Sequence, residues 1–199
     1  MRRGLLLFAA AALAAACGDS TSPGGEATFA FVFQGDANGA VQGDTAVFGG
    51  GVDPFTGDSI WVLDLHTGAT GALQGVAFLT FGRRPGAGSY PIVQFDELSD
   101  IEAGSFGSVV VISPTSDVLV GFVGDAISGT LTVSSSTAEL VEGSFEMEAA
   151  GVAGETAETV EDGRVSVAGT FTAVPQEVLA PSTSRALLLQ RYRTHRIPD

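Results

Sequence analysis

The chain has 199 residues, 45% hydrophobic and 16% charged, with nine basic residues against 23 acidic ones. That apolar content excludes a disordered chain, and the length is enough for one self-sufficient core without disulfides or metals. Lysine is absent, and between Gly18 and Ala180 twenty-two acids face only Arg83, Arg84 and Arg164, a net charge of −19 that repels nucleic acid and anionic lipid.

The first residues read as an export segment. Met1-Arg2-Arg3 is a short positive start, and Leu5 to Ala16 is a continuous apolar run of twelve residues. Spanning a bilayer takes about 20 apolar residues, so this run is too short to be a membrane helix. It ends in Leu13-Ala14-Ala15-Ala16-Cys17 and switches at once to the polar stretch Gly18-Asp19-Ser20-Thr21-Ser22-Pro23-Gly24-Gly25. Cys17 is the only cysteine, so no intramolecular disulfide can form.

At these residues the chain resembles bacterial lipoproteins, whose lipobox sets an aliphatic residue and two small residues before the modified cysteine. Here the leucine, Leu13, stands one place earlier than in that pattern. The resemblance implies removal of a signal peptide, residues 1–16, and lipidation of Cys17, which becomes the mature N-terminus. Acyl chains would then hold the protein at a membrane, at about 0.8 kcal/mol per buried CH₂. The expected location is the bacterial cell envelope, on the periplasmic or outer-surface side. Residues 17–26 form the lipidated cysteine and flexible tether, 27–176 the folded domain, and 177–199 a basic tail.

From Ala27 onward the apolar period is close to two, the signature of half-buried strands. Phe29, Phe31 and Phe33 share one face of a first strand, and Asn38-Gly39 carries the chemistry of a tight hairpin turn. A second strand is expected over Thr45 to Phe48, followed by a loop from Gly49 to Asp58. From Ile60 to His66, Trp61, Leu63 and Leu65 take the core face, which leaves Ile60, Val62, Asp64 and His66 on an exposed polar face. Further strands are expected at Val76 to Phe81, Tyr90 to Phe95, Phe106 to Ile112, Val118 to Val123, Gly129 to Ser134, Leu140 to Ala149 and Arg164 to Val174. About ten strands with no helices between them predict an all-β fold, an antiparallel β-sandwich with a closed β-barrel as the alternative.

A short unit recurs as Gly88-Ser89-Tyr90, Gly104-Ser105-Phe106, Gly143-Ser144-Phe145 and Gly169-Thr170-Phe171, at irregular spacing. It reads as a glycine at a strand start or bulge, a small hydroxyl facing out and an aromatic ring turned into the core. The stretches Ser128 to Val133, Val141 to Phe145 and Arg164 to Phe171 resemble the closing strands of small β-sandwich domains in bacterial lipoproteins, a likeness that implies fold and location but no catalytic residue. The tail from Arg185 to Asp199 holds four arginines and one acid. Leu188, Leu189 and Tyr192 fall at helical spacing there, compatible with a short amphipathic helix or with a frayed terminus.

Chemistry is sparse. No GxSxG, HExxH, CxxC or GxGxxG motif is present, and a P-loop lacks its lysine. The histidines are His66 and His195, the latter in the tail. Asp64 and His66 lie two apart on one strand, so they could act as a base with its orienting partner in an envelope hydrolase. Asp53, Asp58 and the Asp96-Glu97-Ser99-Asp100-Glu102 cluster are the candidate calcium ligands of an adhesion module, without EF-hand spacing. The leading expectation is a non-catalytic module without cofactor, metal or catalytic residues. It would be joined to a membrane through Cys17 and would bind an envelope protein or small ligand, or play a structural part.

Overall fold

A computed structural model describes residues 26–52, 57–67, 73–95, 104–115, 118, 120–155, 158–176 and 190. The fold is all-β, with ten strands in one continuous sheet. In chain order they are β1 (Thr28–Gly35), β2 (Gly39–Gly43), β3 (Thr45–Val52), β4 (Ser59–His66), β5 (Gln74–Phe81), β6 (Gly88–Ile92), β7 (Gly107–Ile112), β8 (Gly121–Ser136), β9 (Val141–Glu155) and β10 (Glu158–Pro175). The pairing order is β2-β1-β10-β3-β4-β5-β7-β8-β6, and β9 joins both β10 and β8.

All ladders are antiparallel except β10–β3, a parallel seam of two residue pairs, Val174 with Val47 and Pro175 with Phe48. The long strands β8 and β10 divide their length between successive neighbours. The first part of β8 pairs with β7, and the part beyond a bulge at Ala126/Ser128 pairs with β6. Residues 165–172 of β10 pair with β1, and its last two pair with β3. The sheet therefore turns over on itself and is sandwich-like, with a single interior lined from both halves.

Period-two alternation fills that interior. Phe29, Phe31 and Phe33 of β1, Trp61, Leu63 and Leu65 of β4, and Val165, Val167 and Phe171 of β10 all belong to one buried cluster. Phe78 of β5 and Phe145 of β9 meet edge-on at 5.1 Å, which joins strands that are not sheet neighbours. Edge-to-face pairs of this kind add about 0.5–1.5 kcal/mol beyond area burial.

Several glycines are sockets for these rings. Phe29 lies opposite Gly43, Phe33 opposite Gly39, and Phe31 and Phe145 flank Gly169 from the two sides. A Cβ at Gly43 would come within 2.5 Å of the Phe29 ring, and one at Gly39 within 2.6 Å of the Phe33 ring. Phe31 and Phe145 touch above Gly169, ring centroids 6.4 Å apart. An aromatic ring laid over a cross-strand glycine restores the apolar cover that the missing side chain would leave open.

The structure corrects the sequence reading at several points. Asn38-Gly39 is not a two-residue turn: the connection is Asp36-Ala37-Asn38, the left-handed φ falls on Gly35 at 137°, and Asn38 closes the loop with its side chain. Its Nδ2 donates to the Gly35 carbonyl at 2.9 Å and its Oδ1 accepts from the Gly35 amide at 3.2 Å. Asp36 then clamps the loop to β10, accepting from the Arg164 amide at 2.7 Å. Gly39–Gly43 is itself a strand, and β3 runs on to Val52 through what reads as a loop. The expected strands Val118 to Val123 and Gly129 to Ser134 are one bent strand, β8. In the recurring unit the aromatic residues do turn inward, but Ser105 is buried, and Gly143 and Gly169 lie within strands under Phe171 and Phe145.

Candidate functional site

The face of β4 opposite Trp61 is not the exposed polar surface that alternation suggests. Ile60 and Val62 join Ala77, Leu79, Val109, Val111 and Phe95 in a second buried apolar cluster. Asp64 shares this face and is 0% exposed, while the His66 side chain retains 18%. His66 Nδ1 lies 3.5 Å from Asp64 Oδ2 and makes no hydrogen bond. A base and its orienting partner need about 2.6–3.2 Å with good alignment. Directly across the ladders stand Val47 and Ala77 beside Asp64, and Thr45 and Gly75 beside His66. The hydroxyl of Thr45 turns to Asp44 at 3.5 Å. The fold thus brings the sequence-predicted pair together as part of a packed face, with no described nucleophile aligned on it.

The other sequence candidates are scattered. Asp58 is half-buried just before β4. Cys17, Asp53, Asp96, Glu97, Ser99, Asp100, Glu102 and His195 lie outside the described residues. Among the described residues no three His, Cys, Asp or Glu side chains are grouped to hold a metal ion, and no helix is long and apolar enough to cross a membrane.

Two concave surfaces stand out. The first, about 440 Å³, crosses the outward side of β1, β10, β9 and β8, where Val32, Gln34, Ser166, Glu146, Glu148 and Ser128 line it. This side is polar by register: Thr170 pairs with Ser144, Ser144 with Thr132 and Thr132 with Ser89, so four hydroxyl residues run in one row across four strands. Ser89 and Thr132 hydroxyls sit 3.3 Å apart, and Ser166 donates to Glu148 at 2.6 Å. Within the row Ser89 and Thr132 are hydrogen-bonded to each other, and the charged residues that line the concavity are the carboxylates Glu146 and Glu148.

The second, about 540 Å³, lies at the end of the sandwich where β3, β4, β5 and β10 meet. Phe48 and Trp61 form its apolar wall, their rings 6.0 Å apart and inclined at 31°. Gly50 stands directly opposite Trp61 across the β3–β4 ladder, where a Cβ would have Trp61 Cδ1 at 3.9 Å. At Gly51 a Cβ would meet nothing within 4 Å. Neither glycine has a left-handed φ, so backbone geometry and packing leave room for side chains that the sequence does not supply.

Trp61 is 3% exposed, and its Nε1 is buried without a hydrogen-bond partner. A buried indole N–H left unpaired costs about 1–3 kcal/mol. Arg83 and Arg84, exposed on the turn that begins at Gly82, border the same cleft. They are two of the three cations between Gly18 and Ala180. An apolar wall and two neighbouring guanidinium groups are components that recognise a planar or carboxylate-bearing anion.

Sequence reasoning passed over this cleft. Its signal was present in the single tryptophan, the triple glycine Gly49-Gly50-Gly51 and the adjacent arginines in an otherwise acidic body. Only the ladder that sets Gly50 beside Trp61 shows that they converge. No family model matches the chain, and neither the curated proteins nor the solved structures give a match.

Proposed function

We propose that this chain is an exported domain held at the bacterial cell envelope by acyl chains on Cys17, and that it is a non-catalytic binding module. Its ligand is an anionic small molecule, or the anionic end of an envelope polymer, seated in the cleft beside Trp61. The anchor rests on the leader residues: a positive start at Arg2-Arg3, the apolar run Leu5 to Ala16, and Cys17 ahead of a polar tether. The observation that carries the binding reading is the meeting of Arg83 and Arg84 with the Phe48–Trp61 wall around one cleft. On a body of net charge −19, the two neighbouring cations Arg83 and Arg84 make this cleft more favourable to an anion than the carboxylate-lined surface of β8, β9 and β10.

Trp61 is the only tryptophan, so its emission reports the cleft directly. Titration of the full chain with glucuronate and with inorganic phosphate should give a saturable change for at least one of them. Added sodium chloride should weaken it, and the double substitution Arg83→Ala, Arg84→Ala should abolish it. No change with either anion, or an unaltered change in the double variant, refutes the binding reading. The anchor is tested separately: labelled fatty acid should be incorporated into the chain in cells and lost with Cys17→Ser.

A further inference from the structure

We propose that the cleft beside Trp61 takes an extended acidic peptide, which adds as a strand to the free edge of β3 at Gly50 and Val52. This rests on the anion-binding reading of the cleft and narrows its ligand to one class. Strand β3 outruns its neighbour β10. The parallel seam between them holds only Val47 and Phe48 of β3, and beyond it the Gln176 amide donates to the Phe48 carbonyl at 2.9 Å. On its other side β3 stays paired with β4 as far as Val52, opposite Ser59. Residues 49–52 are thus bonded along one side, and among the described residues no strand pairs with the other. Gly50 and Gly51 are exposed and Val52 is 64% exposed, so this edge is open to solvent.

Register decides which backbone groups face outward. In an antiparallel ladder, residues alternate between exchanging both backbone bonds with the opposite residue and pointing both groups away from it. The Phe48 carbonyl points away from β4, so the N–H and C=O of Gly50 and Val52 point away from it too. The β4 side agrees: Ser59, opposite Val52, accepts at its carbonyl from the Gly82 amide at 2.8 Å, on the side of β5. Two donors and two acceptors in line on a sheet edge are a template for an extended chain. Edges of this kind are usually blunted by a charged side chain or a proline, and Gly49-Gly50-Gly51-Val52 carries neither. Gly50 and Gly51 also bring no side chain that an incoming strand would have to displace. Residues 49–52 line the same cleft as Phe48, Trp61, Arg83 and Arg84. A strand seated at Gly50 therefore meets an apolar wall and two guanidinium groups within one cavity, and the guanidinium groups select carboxylate side chains along it.

The test is calorimetric titration of the full chain with an acetylated, amidated hexapeptide that alternates glutamate and threonine. This peptide should bind about tenfold or more tightly than glucuronate. Methylating every backbone nitrogen of the peptide, at unchanged charge, should weaken it about tenfold or more, and so should exchanging its glutamates for glutamine. If glucuronate binds but the peptide binds no better, or binds equally well when methylated or free of glutamate, the proposal is overturned and the anion-binding reading stands. If peptide, glucuronate and phosphate all fail to bind, both are overturned. On the protein side, Val52→Pro removes one outward N–H without breaking the β4 ladder and should weaken the peptide about tenfold. An unchanged affinity in a variant that keeps its circular dichroism overturns the proposal. So does a concentration-dependent dimer of the parent chain in sedimentation that Val52→Pro dissolves, because the edge then belongs to a second copy.

Discussion

Substituting Gly169 by alanine tests whether glycines are sockets for the phenylalanine rings. A Cβ at Gly169 would stand 2.5 Å from the Ala30 carbonyl oxygen, 2.6 Å from Phe31 Cβ and 2.9 Å from Phe145 Cζ. The first two atoms are fixed by the β1–β10 ladder, so neither can swing aside as a flexible side chain would. Forcing a methyl into such a site costs about 1–3 kcal/mol, offset by about 0.4–1 kcal/mol from the lower entropy of the unfolded chain. The net expectation for Gly169→Ala is a loss of about 1–2 kcal/mol. Gly51 is the control, because nothing stands within 4 Å of its Cβ position and only the entropic gain acts there. Gly51→Ala should range from neutral to about 1 kcal/mol more stable. Urea unfolding followed by circular dichroism separates the two, and the melting temperatures should differ by about 4–8 °C for a domain of this size. A Gly169→Ala protein as stable as the parent, or a Gly51→Ala protein that loses as much, would refute the argument.

Three further substitutions probe the polar interior and its ties. Ser108 is fully buried and its hydroxyl has no hydrogen-bond partner, so Ser108→Ala should be neutral or stabilising by up to about 1 kcal/mol in the same urea assay. Asp36→Ala removes the 2.7 Å bond from the Arg164 amide and should cost about 1–2 kcal/mol, with faster amide exchange at Arg164 as the local readout. Asp64→Ala takes a fully buried carboxylate from its partners and should cost about 3 kcal/mol, measured as a fall in the urea midpoint at unchanged m-value.

Much of the fold was legible because alternation is a local property. Phe29-x-Phe31-x-Phe33 and Trp61-x-Leu63-x-Leu65 announce an inward face without knowledge of the partner strand. The bend in β8 was hidden because Gly124, Asp125 and Ser128 have turn chemistry, yet here they lie along a strand that changes partners at a bulge. Strand β2 was missed because its two end glycines, Gly39 and Gly43, read as loop residues, whereas they make room for Phe33 and Phe29. The second buried face was misread because Asp64 and His66 suggested solvent. The unbroken apolar runs Ile60 to Leu63, Val76 to Leu79 and Val109 to Ile112 carried the opposite message, since strands covered on both sides lose their alternation. The cleft depends on the register that sets Gly50 beside Trp61, a distant pairing that no local pattern encodes.

The position of β10 between β1, β9 and β3 bears on how the molecule is made. The hairpins β1–β2, β3–β4 and β4–β5 can form from neighbouring chain alone, but three edges wait for β10, the last of the described strands. Until then they remain open templates for wrong pairing. Closure is a late event with long sequence separations, which slows folding and concentrates it in a single cooperative step.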